Sequence, residues 1–127
     1  MSTWDDLRID EKISSILDVN FKSGHHFKRP FLTAYQIAIT FERRFPSEFT
    51  RIGIPLGGKG IGLHHSFSKY LANILSRRIK NGSIRNIEGR FLLDSKLSIN
   101  ARGQRGTSLK TTSAGALSIF RLKDRPR

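Results

Sequence analysis

Lys69, Asn73, Ser76 and Lys80 recur at helical spacing in the middle of the chain, with Arg77 beside them. On a helix of 3.6 residues per turn, positions 69, 73, 76 and 80 share one face and 77 borders it. The chemistry this mixture offers is contact with nucleic acid. Cations hold phosphates, while Asn and Arg side chains make paired hydrogen bonds to base edges, Asn to adenine and Arg to guanine. The competing reading is a solvated face on an amphipathic helix.

Just upstream, residues 57–62 read Gly-Gly-Lys-Gly-Ile-Gly. Glycines let backbone N–H groups approach a phosphate, a helix N-terminus adds partial positive charge, and Lys59 adds a full one. The same run also suits a plain flexible turn. No Ser or Thr follows Lys59, and the G-x-G-x-x-G order is absent, so no nucleotide cofactor is expected. Downstream, Arg85 lies in the connection of residues 81–86 and Arg90 soon after it. Arg102 and Arg105, with Lys110, fall in a polar loop over residues 100–113 with Gly103 and Gly106. These cations suit a phosphate backbone, or simply a soluble surface turn.

Catalytic sets are thinner. The histidines come as two adjacent pairs, His25-His26 and His64-His65. Adjacent side chains point apart, so neither pair is a ready metal site and no metal is expected. Glu88, Asp94 and Lys96 echo the acids and lysine of a metal-dependent nuclease. Beyond residue 20, however, the acids are only Glu42, Glu48, Glu88, Asp94 and Asp124. A metal-free phosphodiesterase of ribonuclease type is the enzymatic alternative. It would use His25 or His64 as general acid and base, with Lys59 or Arg78 holding phosphate. No complete catalytic constellation is present, and no G-x-S-x-G motif, so the chain reads as a binding protein rather than an enzyme.

The charge sharpens that reading. The 127 residues carry 23 Lys+Arg against 10 Asp+Glu. Residues 1–20 hold five of the acids and two of the bases, a net of −3, which leaves +16 on residues 21–127. Such an excess seeks a polyanion, with nucleic acid first, and an anionic membrane surface or an acidic protein behind it. No apolar run is long enough to span a bilayer. The opening residues are polar and acidic, unlike a secretory signal or a basic transit peptide. There is no Cys, hence no disulfide framework or thiolate chemistry. A cytoplasmic protein associated with nucleic acid, as in a nucleoid, is expected.

Length suggests one domain. Residues 1–20 form its acidic N-terminal helix, 31–99 its core and 100–127 a basic C-terminal segment. Ile9, Ile13, Ile16 and Leu17 mark one buried face of a helix over 3–18, from which Trp4 and Leu7 deviate. A second helix is capped by Thr33, carries Ala34, Ile37, Ala38, Phe41 and Phe45 inward, and ends at Pro46. Residues 47–63 read as non-helical, with a short strand over 51–54. The third helix spans 66–80 and is stopped by Asn81-Gly82. Strands over 87–93 and 96–99 are joined by a turn at Asp94-Ser95, and 116–122 gives a third strand.

The class is therefore α+β, three main helices followed by a small antiparallel sheet. In element order and face pattern, residues 31–99 resemble a winged helix-turn-helix DNA-binding domain. The chain departs from that pattern between the second and third helices, where Pro55 and five glycines replace a short helix and tight turn. The resemblance implies duplex DNA as partner, read by helix 66–80, with phosphate contacts from the wing and a possible homodimer on paired half-sites. A module for an acidic protein partner would use the same basic face without base readout. Few surface aromatics can be identified and no RNP-like aromatic pattern is present, so base stacking is not expected to dominate.

Overall fold

The structure, a computed structural model, describes residues 3–19, 29–54, 56, 67–93, 100–102, 108–110 and 116–123, with backbone alone at 93, 100–102, 108–110, 116 and 117. The expectations for the glycine run with Lys59, both histidine pairs, the turn at Asp94-Ser95, the strand over 96–99, and Arg105 lie outside the described residues.

The N-terminal segment is two helices, α1 (Thr3–Asp6) and α2 (Ile9–Leu17), rather than one. Arg8 breaks them apart in a left-handed conformation, φ 52°. The physical reason is the off-face pair noted above. A continuous helix would leave Trp4 and Leu7 outside, whereas the break brings both to the core, at 2% and 6% exposure. The Trp4 indole N–H donates to Asp10, which satisfies its polar edge.

The next helix, α3 (Ala34–Arg44), begins on a complete capping box. The Gln36 amide donates to Thr33 Oγ1 at 3.1 Å, and the Thr33 amide donates to Gln36 Oε1 at 2.8 Å. Ala34, Ile37, Ala38 and Phe41 are buried as the spacing predicts. Pro46 ends this helix and also starts another, α4 (Pro46–Ile52), which replaces the strand expected over 51–54. Proline suits the first helical position because its missing N–H has no partner there anyway. Phe49 and Ile52, three apart, then pack on the core, and Phe49 meets the Phe67 ring edge-on at 5.0 Å.

Helix α5 (Phe67–Lys80) buries Phe67, Leu71 and Leu75. It ends where Gly82 takes φ 83°, a conformation that favours glycine, and the Ile84 amide donates back to the Arg78 carbonyl. Two long strands follow, β2 (Ile87–Leu93) and β5 (Ala116–Leu122). They pair antiparallel along their full length, from Ile87 opposite Leu122 to Leu93 opposite Ala116. A two-residue strand before α3, β1 (Leu32–Thr33), pairs with the other edge of β5, so the sheet order is β1-β5-β2. A separate pair, β3 (Asn100–Arg102) and β4 (Ser108–Lys110), is also antiparallel.

The fold is α+β, as the sequence indicates. A strand precedes the second long helix, and residues 100–102 and 108–110 pair as strands where a loop is expected. Ile87 and Phe120 both face the helices and are fully or almost fully buried. Trp4, Ile13, Leu17, Phe41, Phe67 and Phe120 belong to one core.

Candidate nucleic-acid interface

Helix α5 is the element that positions the polar stripe. Its inner side is fixed by Phe67, Leu71 and Leu75, which turns Asn73, Ser76, Arg77 and Lys80 to solvent. Lys69, at the N-terminal end of the stripe, is half-buried and engaged in a contact of its own. Among the described residues, neither Arg77 nor Lys80 pairs with a carboxylate.

Arg78 has the opposite surroundings. Its Nη1 lies 3.1 Å from Asp5 Oδ1 and 3.7 Å from Asp10 Oδ2, and its guanidinium sits 5.6 Å from the Trp4 ring centre. Two acids of the N-terminal helices are thus held against the inner flank of α5. Arg78, one of the two cations considered for holding phosphate in an enzyme, is engaged in this cluster. Tyr70 lies beside it, its ring 5.8 Å from Trp4. Burial pushes the Tyr70 phenol above its ordinary value, and the Arg78 charge pulls part of the way back.

The turn and hairpin after α5 carry the next cations. Arg85 is exposed and its Nε donates to the Gly82 carbonyl at 3.3 Å. Arg90 is exposed on β2, donates to the Gly89 carbonyl at 2.8 Å, and lies 3.8 Å from Glu88. Glu88 is already bonded by Arg121, whose guanidinium stacks 4.3 Å from the Phe31 ring centre. The Glu88 carboxylate is therefore neutralised on both sides. Among the described residues, no three metal-ligating side chains gather.

The stripe and the hairpin meet in a groove of about 290 Å³. Ser76, Ile79 and Lys80 line it from α5, and Gly89, Arg90 and Phe91 from β2. A Cβ at position 89 would come within 3.2 Å of the Phe120 ring, so glycine lets that ring lie directly over the strand. The groove gathers Ser76, Lys80 and Arg90. Lys69, Asn73 and Arg77 share the α5 face, Arg85 stands on the turn between helix and strand, and Arg102 lies in β3 with its backbone alone described. Sequence reasoning missed Phe91, which is 76% exposed. Its alternation with Ile87 and Gly89 puts it on the inward face of β2. Nothing in the sequence shows that this face continues past its helical cover.

Compared with family models, with curated proteins and with solved structures, the chain matches none.

Proposed function

We propose that the protein binds duplex DNA, with the exposed face of α5 in the major groove and the β2–β5 hairpin beside it as a wing. The observation that carries this reading is the separation of charge around one helix. Asn73, Ser76, Arg77 and Lys80 stand exposed on one side, and Asp5 and Asp10 are drawn to Arg78 on the other. A phosphate backbone approaching the stripe therefore meets cations and paired hydrogen-bonding groups, with no facing carboxylate among the described residues.

The element order supports the same reading. Helices α2, α3 and α5 and a β1-β5-β2 sheet are compatible with a winged helix-turn-helix plan, in which the third helix precedes the wing strands. Helix α4 stands between the second and third helices, where that plan has a short helix. Arg85 and Arg90 then lie on the approach to the wing, where backbone phosphates pass. In a cell this activity would place the protein on cytoplasmic or nucleoid DNA.

Anisotropy titration of a labelled duplex across a range of salt concentrations tests the reading. If about five to eight phosphates are neutralised, the log–log slope is roughly −4 to −7. A slope near zero overturns it.

A further inference from the structure

The groove between α5 and β2 ends on an aromatic ring that the core does not use. Phe91 is 76% exposed, while Ile87 on the same strand face is fully buried. Its cross-strand neighbour is Ser118, too small to cover a phenyl ring. Lys80 lines the opposite wall, whereas Arg90, next to Phe91 in the strand, turns its side chain to the other face beside Glu88. Glu88, the acid of β2, is engaged by Arg121 and Arg90. An open aromatic face bordered by the Lys80 ammonium fits a planar group that carries negative charge beside it. An apolar peptide would cover Lys80 without compensating its lost hydration. A nucleotide compensates it through its phosphates while its base covers the ring. At about 290 Å³ the groove falls at the small end of ligand pockets, which suits one flat ring system.

We propose that this groove receives one unpaired base of a nucleic acid. The base stacks on Phe91, Lys80 holds a flanking phosphate, and Ser76 and Ser118 supply hydrogen bonds at its edge. The proposal rests on the nucleic-acid reading above and narrows it. A base inside an intact helix is stacked on its own neighbours, so the protein prefers DNA with an unpaired nucleotide to uninterrupted duplex.

The test uses the full chain and two probes, a blunt duplex and the same duplex with a short single-stranded overhang. The overhang carries 2-aminopurine at its first unpaired position. The wild type binds the overhang probe about 5- to 100-fold more tightly than the blunt one, the worth of one stacked base, and binding quenches the 2-aminopurine. Phe91→Ala removes that preference and the quenching, leaves blunt-duplex affinity and melting temperature unchanged, and Phe91→Trp restores both signals. A wild type without preference overturns the proposal, as does a preference that survives Phe91→Ala. A Phe91→Ala chain that fails to fold also overturns it, because the ring then belongs to the core. Phosphatidylserine vesicles provide a further arm. Vesicle binding that depends on Phe91, with oligonucleotide binding that does not, assigns the ring to a membrane surface and overturns the proposal. Steep salt-dependent binding of blunt duplex with no effect of Phe91 removes this inference alone. Absence of binding to either DNA probe at low salt removes the DNA reading with it.

Discussion

Two sides of α5 invite comparison through Arg77 and Arg78, neighbours in the chain that point about 100° apart around the helix. Arg78 is 23% exposed, shares the carboxylates of Asp5 and Asp10, and lies over the Trp4 indole. Arg77 is exposed and, among the described residues, meets no carboxylate. The same side chain thus serves as structural mortar on one flank and as an available cation on the other. Net charge alone overstates the cations open to any partner, because part of it is consumed inside the fold. What matters for a polyanion is the cation that the acidic helices do not reach.

The sharpest way to break this comparison is to damage the inner side outright. Leu71 is fully buried, so Leu71→Ala costs about 2–5 kcal/mol through lost burial and a residual cavity. Chemical denaturation measures the loss, and DNA affinity of the molecules that remain folded stays nearly constant. If instead stability holds and binding disappears, the helix has been assigned the wrong inward face. The two arginines give the next largest contrast. Arg78→Ala lowers stability by about 1–2 kcal/mol, between an exposed and a buried ion pair. Arg77→Ala changes stability by less than about 0.5 kcal/mol. It weakens sequence-specific binding by about 1–3 kcal/mol, with Asn73→Ala alongside, more than Lys110→Ala in β4 does. Equal losses on specific and random DNA for all three substitutions would demote α5 from reader to spectator.

The smallest effect concerns Tyr70, on the Arg78 flank. Burial lifts its folded phenol above the ordinary value of 10.0. The unfolded chain therefore releases this proton first as pH rises. Its contribution to stability is intact below pH 10 and is lost as pH climbs towards the raised folded value. Melting curves from about pH 9 to about pH 11 should fall less steeply for Tyr70→Phe than for the wild type. Identical alkaline slopes would mean that the Arg78 charge offsets the burial completely.

Much of the helical architecture is legible from period alone. The Ile9–Leu17 face, the Thr33 cap and the two sides of α5 follow local rules, since each concerns residues within a turn or two of one another. Strand β1 was hidden by distance: it is two residues long and exists because β5, far along the chain, pairs with it. Helix α4 was hidden for a different reason, because Pro46 signals both an end and a beginning and only the core contacts of Phe49 and Ile52 decide. In the candidate interface, the exposure of Asn73, Ser76, Arg77 and Lys80 can be read from the stripe. The capture of Arg78 cannot, because its carboxylates stand in helices at the other end of the described chain. Phe91 is hidden likewise, since whether a strand's inward face is covered depends on where a helix stops.

The β1-β5-β2 order also bears on synthesis. The central strand is translated after both strands that it joins. While the ribosome is still short of residue 116, Leu32 has no Phe120 to face and Ile87 has no Leu122. The edges of β1 and β2 then stay open, and the apolar Ile87 waits without its cover. Such late, long-range closure slows folding and leaves unpaired strand edges available to neighbours in the meantime. The capping box at Thr33 lies in the same strand as the waiting edge, so α3 can form at once and hold β1 in place. The β1-β5-β2 sheet can therefore close only once β5 has emerged.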